Sequence, residues 1–347
     1  MGLLAALRAR TPATGRHLHL GIGDDCALLR PAPGEEIAIT TDLSLENVHF
    51  RRDWHPPESV GHRCLARGLS DLAAMGARPM AAFLSIAVPA ELTVSHRGQP
   101  SWIDRFFNGL LALADQMQSP LAGGDTAESP RTLGAASESC LVVADITLIG
   151  GVKRDRALLR SGACAGDLIY VTGPGLGGAA AELLALERTP RRFTPLKAAA
   201  PGHPHLYPNP RIGVGRKLAR KQLATACIDI SDGLSTDLRH LCEESNLVAE
   251  IDAEAVPIHP MAQLAQAAGW TPSALDLALH GGEDYELLFI ASPKAKMPRQ
   301  IGGVEVHAIG RIKKKTQNAV AVVTLSSQGQ ERELLARGWQ HFGSKLT

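Results

Sequence analysis

Acidic residues set inside apolar sequence constrain this chain more than any other feature. Aspartate closes a small or apolar run beside Gly, Ser or Thr at Gly21-Ile22-Gly23-Asp24-Asp25, Thr40-Thr41-Asp42, Leu69-Ser70-Asp71, Gly123-Gly124-Asp125 and Asp229-Ile230-Ser231-Asp232-Gly233. Gly281-Gly282-Glu283-Asp284 then follows. A carboxylate in such a setting is costly to desolvate unless it is paired or meets a cation. Gathered together without cations, these carboxylates would repel and raise one another's pKa values. The pattern points to a shared polyanionic pocket for hard divalent metal, of a kind suited to handling phosphate.

The totals narrow the class. A length of 347 residues corresponds to two domains or one large one, and 45% hydrophobic content is enough to bury a full core. Lys and Arg total 36 against 35 acids, a net charge of +1, which argues against nucleic acid or a membrane surface as partner. The six cysteines are far apart and form no Cys-x-x-Cys, as expected of reduced thiols in a cytoplasmic protein. No apolar run approaches the roughly 18 residues that span a bilayer, and the N-terminal residues lack the apolar stretch of a signal peptide.

Strand-like runs occur at 37–41, 83–88 and 141–149, with helical patterns at 59–75 and 102–117 between them. Residues 1–20 bear Arg and His and read as a frayed helix with a short apolar patch at Leu3 to Leu7. Gly150-Gly151 marks the expected boundary between domains 1–149 and 150–347. Beyond it come a strand at 167–172, the Gly-rich Gly173–Gly178, a helix at 179–187, and a Pro- and His-rich loop at 195–210. A strand at 226–230, a helix at 234–244 and strands at 286–291, 304–309 and 319–325 complete the second half. The fold class expected is α/β or α+β in two domains, each carrying part of the acidic set.

Each acidic segment has a plain reading beside the chemical one. Gly21-x-Gly23 lets the chain bend and aim Asp24 and Asp25 into a cleft, or forms a surface turn. Thr40-Thr41-Asp42 at a strand end brings together hydroxyl, carbonyl and carboxylate oxygens, the mixture Mg²⁺ prefers. Asp71 sits in a helical pattern beside Leu69 and Leu72, where it is either a buried ligand or an exposed helical acid. Gly123-Gly124-Asp125 offers backbone N–H groups beside a carboxylate, or is a turn. Strand alternation puts Asp229 and Ser231 on one face, while Asp232 also reads as the N-cap of the following helix. Gly173-Pro174-Gly175-Leu176-Gly177-Gly178 matches a dinucleotide fingerprint, but its helix leads into Arg191-Arg192 and a Pro-rich stretch rather than a returning strand. Gly213–Leu218 lacks the spacing and the Ser or Thr of a P-loop.

In this order the segments resemble the thiamine-monophosphate kinases, of the family that includes aminoimidazole-ribotide synthetase and selenophosphate synthetase. The resemblance runs through Gly21–Leu29, Thr40–Asp42 with His49-Phe50, Leu69–Ala77, Gly123–Thr126, Arg160-Ser161-Gly162, Asp229–Leu234, Gly281–Leu287 and Gly338-Trp339-Gln340-His341-Phe342. It implies a two-domain PurM-like fold whose N-terminal domain pairs with a second copy to form a β-barrel at a homodimer interface. It implies that Asp25, Thr40, Thr41, Asp42, Asp71, Asp125, Asp229 and Asp232 bind several Mg²⁺ ions. Gly124, Asp125, Arg160 and Ser231 would contact ATP, and His49, Glu283 and Trp339 the thiamine moiety. The reaction implied is phosphorylation of thiamine monophosphate by ATP, the last step of thiamine diphosphate biosynthesis. With a phosphate oxygen as nucleophile, no covalent residue and no general base are expected. The residues themselves leave open another ATP-dependent member of the wider family, or a regulator that binds metal or nucleotide without turnover.

Overall fold

The computed structural model describes residues 3–95, 98–130, 140–188, 202–315 and 322–339. Gln340, His341 and Phe342 of the terminal motif lie outside these residues, as do parts of the expected loop at 195–210 and strand at 319–325. The described residues form two compact units. One holds the residues up to Leu72 and from Ala77 to Asp155; the other holds Ala73–Gly76, Arg156–Arg188 and the residues from 202 onward. Gly150 and Gly151 lie inside a strand, and the units part at Asp155 and Arg156.

The first unit begins with helix α1 (Leu3–Arg10) and a small β1–β2 pair (Leu18–Leu20, Leu28–Leu29). Its main sheet has the order β3 (Glu35–Leu45), β6 (Val143–Lys153), β4 (Arg78–Val88), β5 (Leu121–Glu128). Only the β4–β5 pair is parallel. Helices α2 (Pro57–Ala74) and α3 (Trp102–Met117) accompany it. The sequence specifies α3 closely. Ser101 caps it in a reciprocal box with Asp104, Gln118 closes it in the left-handed conformation, and Ile103, Phe106, Phe107, Leu110 and Leu111 are buried. The α2 and α3 backbones meet at glycines. A Cβ on Gly61 would lie 1.9 Å from the Phe106 carbonyl oxygen, and one on Gly109 1.8 Å from that of Glu58.

Strand β3 runs well past the expected end, so Thr40, Thr41 and Asp42 are mid-strand rather than at a turn. Pairing with β6 continues through Leu45↔Val143, and this ladder carries the strand past the polar residues. Likewise Gly123, Gly124 and Asp125 belong to edge strand β5, not to a turn, in parallel register with Phe83, Leu84 and Ser85. A Cβ on Gly124 would fall 1.8 Å from the Leu84 carbonyl oxygen, so the close strand approach requires glycine there.

The second unit has a mixed sheet of order β14 (Gln330–Glu333), β13 (Val323–Ser327), β9 (Leu247–Asp252), β12 (Val304–Lys314), β7 (Leu168–Thr172), β10 (Leu287–Ala291), β8 (Ala226–Asp229), with β11 (Gln300–Ile301) beside β12. Its helices are α4 (Gly178–Arg188), α5 (Ile212–Lys221), α6 (Leu234–Ser245), α7 (Pro260–Ala267) and α8 (Ala274–His280). Leu234, Leu238 and Leu241 recur at helical spacing on α6 and join Ile228, Ile251, Leu288 and Ile290 in the core. Alternation is weak in β7, β8 and β10 because nearly all their residues are buried.

Candidate active site

In the first unit the acidic segments fall into two groups. Asp24, Asp25, Gly123, Gly124, Asp125 and Thr126 line a cleft of about 390 Å³ whose apolar wall includes Leu7, Ile22, Phe83 and Phe107. Asp24 and Asp125 each accept a following backbone N–H, from Asp25 at 2.9 Å and Thr126 at 2.8 Å. These local bonds orient the two side chains while the carboxylates stay exposed.

The second group lies between β3 and α2. Thr40 donates a short hydrogen bond to Asp71, joining strand to helix. Asp42 on the same strand face pairs with Arg67 of α2 at 3.3 Å. Burial pushes the Asp42 carboxyl up to about 6; Arg67 pulls it down, and the charges of Asp71 and Asp145 add to the rise. Alternation turns Thr41 to the opposite face, where its hydroxyl donates to Asp145 at 2.9 Å. The adjacent threonines therefore serve different faces. Sequence reading missed Arg67 in this group and Asp145 on the opposite face. Pairing of Asp145 across the sheet has no local signal, and Arg67 looks like an ordinary helical base.

His49 lies next to the second group, in a small recess with Ser44, Phe50, Val60, Arg63 and Arg67, the partner of Asp42. Its Nδ1 accepts the Leu45 N–H at 3.0 Å, so the neutral ring carries its proton on Nε2.

In the second unit Asp229, Ser231, Asp232, Glu283 and Trp339 converge. Asp229 ends β8 and is 4% exposed. The loop after it does not make Asp232 the cap of α6. Gly233 takes that position with φ 122°, a left-handed conformation that favours glycine. The N–H groups of the loop go to Asp237, in the first turn of α6, a residue sequence reading missed. Its Oδ2 accepts from Ser231, Asp232 and Gly233 at 3.1, 3.2 and 3.0 Å. Burial first, then the charges of Asp229 and Asp232, push the Asp237 carboxyl up to about 8 against those bonds.

The Glu283 N–H donates to the Ser231 carbonyl at 2.8 Å and the Trp339 N–H to that of Asp232 at 3.1 Å. Glu283 (φ 57°) and Tyr285 (φ 50°) hold left-handed conformations costly for residues with a Cβ. Gly282 must be small, since its Cβ would lie 2.7 Å from the Ser231 carbonyl oxygen. The Glu283 carboxylate lies 3.1 Å from Nδ1 of buried His205. Arg160 is exposed, and its carbonyl accepts from Ser245 at 3.4 Å beside the second unit's sheet.

Asp284 explains the Gly-rich run before α4. Its carboxylate accepts the N–H groups of Gly177 at 2.8 Å and Ala179 at 3.3 Å, taking the helix N-terminus that a bound pyrophosphate would need. Burial pushes the Asp284 carboxyl up to about 7, against those N–H donors.

The model of AIR synthase related protein, N-terminal domain, matches residues 23–152, and that of AIR synthase related protein, C-terminal domain, matches residues 165–323. The class is thus the two-domain PurM-like α/β fold of AIR synthase related proteins. A thiamine-monophosphate kinase of Synechococcus elongatus is 34% identical over 353 residues, covering 98% of this chain and 95% of that protein. The structure of thiamine-monophosphate kinase from Stenotrophomonas maltophilia K279a is similar with a TM-score of 0.77 and 32% identity, over 96% of each chain. AaThiL complexed with AMPPCP and TMP gives a TM-score of 0.72 at 25% identity, over 98% of this chain and 95% of that one. The chain belongs to the thiamine-monophosphate kinase family.

Proposed function

We infer that this protein transfers the γ-phosphoryl group of ATP to the phosphate of thiamine monophosphate, yielding thiamine diphosphate and ADP. The observation that carries this reading is the match to a thiamine-monophosphate kinase along nearly the full length of both chains. The nucleophile is a phosphate oxygen, largely ionised at neutral pH because its second pKa is about 6, so no side chain need remove a proton. Transfer is direct and in line, without a phosphoenzyme. What the protein must overcome is repulsion between two polyanions.

The donor set supports Mg²⁺. Thr40, Asp42 and Asp71 offer hard oxygens on the α2 side of β3, and Asp42 is held partly neutralised by Arg67. Mg²⁺ needs only one or two carboxylates, its shell being completed by water and phosphate oxygens. Asp25, Thr40, Thr41, Asp42, Asp71, Asp125, Asp229 and Asp232 are the residues proposed to hold several such ions. Bound Mg²⁺ supplies charge neutralisation on the phosphates.

The remaining roles belong to the chain. Gly124, Asp125, Arg160 and Ser231 contact ATP; because the Ser231 N–H is committed to Asp237, its hydroxyl is the group available. Trp339, 52% exposed, offers a ring face to the thiazolium cation, with Glu283 and His49 beside the acceptor. The protein works as a homodimer. Ile37, Ile39 and Leu43 are 44%, 67% and 48% exposed on one face of β3, an apolar surface that a second copy would cover. A cytoplasmic location accords with six free cysteines; among the described residues no helix is long and apolar enough to cross a membrane.

The test is ADP release measured together with thiamine diphosphate formation, with thiamine monophosphate, ATP and Mg²⁺, with and without EDTA. Equal, EDTA-sensitive yields are expected. ADP without thiamine diphosphate would mean a different acceptor.

A further inference from the structure

Asp237 has no ligand-binding role above, yet its setting is unusual for a helical acid. It lies in the first turn of α6 and is 2% exposed. One carboxylate oxygen gathers the consecutive N–H groups of Ser231, Asp232 and Gly233. On the other side of the same loop the carbonyls are also taken: Ile230 by Tyr285 N–H at 2.9 Å, Ser231 by Glu283 N–H, Asp232 by Trp339 N–H. The loop is a layer one residue thick, held from within by one carboxyl oxygen and gripped from without by two other segments. Three consecutive N–H groups converging on a single oxygen fix the loop's backbone, so the inner anchor sets the geometry that the outer bonds read. With its N–H groups consumed, the loop meets ligands only through side chains.

We propose that Asp237 is a positioning residue that, through loop 231–233, fixes Ser231 and Asp232 on one side and Glu283 and Trp339 on the other. The proposal rests on the kinase reading and deepens it: one buried carboxylate aligns nucleotide-side and acceptor-side groups together. A residue that merely stabilises the unit would change the folded fraction and leave the KM of folded molecules alone. A positioning residue changes KM for both substrates.

The experiment compares Asp237→Asn and Asp237→Glu with wild type and with Asp167→Asn. Asp167 is a matched control in the same unit, 4% exposed and accepting from Cys164 N–H at 3.0 Å and the Thr225 hydroxyl at 2.9 Å. Both Asp237 variants should raise KM for ATP and for thiamine monophosphate about 10-fold or more. They should also shift the Trp339 resonance of substrate-free 5-fluorotryptophan protein, assigned with Trp339→Phe. Asp167→Asn should lower Tm with both KM values unchanged. Wild-type KM values and an unmoved Trp339 resonance in Asp237→Asn overturn the proposal, as does failure of both Asp237 variants to fold. If wild type forms no thiamine diphosphate, the kinase reading fails instead, and the Trp339 resonance still decides whether Asp237 positions the loop.

Discussion

The two units hold their acids in opposite ways. In the first, Asp24, Asp25 and Asp125 are exposed around a cleft, with local bonds from the following N–H groups to Asp24 and Asp125. In the second, Asp237 is almost wholly buried and, like Asp284, is held by backbone N–H groups. Where both acids and N–H donors come from the chain, the carboxylate is part of the scaffold and fixes a loop. Where carboxylates face a cleft with few internal partners, their repulsion is left for an incoming cation to relieve. Asp42 stands between these cases, half paired with Arg67 and pushed up to about 6.

The sharpest break of this contrast lies in the second unit's scaffold. Glu286 accepts both Arg211 guanidinium bonds, one of them at 2.6 Å, and the Thr172 hydroxyl at 2.6 Å. Glu286→Ala strands a buried guanidinium and should cost about 3–5 kcal/mol of stability, read by urea denaturation. A loss under about 1 kcal/mol would mean that Arg211 finds water instead. The next effect belongs to the first unit and falls on turnover. Asp42→Asn and Asp71→Asn should each cut kcat about 10²–10³-fold, the scale of losing one preorganised charge-stabilising group. Tm should change little, because Asn keeps an acceptor oxygen for Arg67 and for the Thr40 hydroxyl while removing a charge that repels its neighbours. Near-normal kcat in both would sink the metal pocket.

A pH series then separates the two kinds of acid. Asp284 is raised from 3.8 to about 7, so between those values the folded protein holds a proton that the unfolded chain has lost. Its contribution therefore makes stability fall as pH rises through that window, by at most about 1.4 kcal/mol per pH unit, and then level off. Asp284→Asn keeps an acceptor oxygen and should flatten that slope in urea midpoints. An unchanged slope would assign it to other groups. The smallest effect is at the exposed ring. Trp339→Ala should raise KM for thiamine monophosphate with little change in kcat, a loss of about 0.5–2 kcal/mol of cation–π contact. An unaltered KM removes Trp339 from the acceptor site.

Much of this was legible in the sequence. Helix α3 carries its cap, its apolar face and its end in adjacent residues, and its expected span of 102–117 is the span found. Strand limits were less legible. Thr40-Thr41-Asp42 looked like a strand end because polar residues close the apolar alternation, whereas pairing with β6 carries β3 on to Leu45. Gly123-Gly124-Asp125 has the composition of a turn, but strand β4 holds it extended. Helices α5, α7 and α8 and strands β1, β2, β5, β9, β11 and β14 went unassigned, most of them too short for a hydrophobic period to show.

The sequence by itself marked out the acids proposed for the site, because a carboxylate beside glycine or inside an apolar run is a local anomaly visible without any fold. It also determined the kinship, through motifs spread along the whole chain. The tertiary structure alone decided what each acid does. It brought Arg67 to Asp42 and Asp145 to Thr41, gave the loop after Asp229 to Asp237 rather than to a cap, and filled the Gly-rich turn with Asp284. The reason is physical: burial and pairing set whether a carboxylate is scaffold or ligand, and both depend on neighbours distant in the chain.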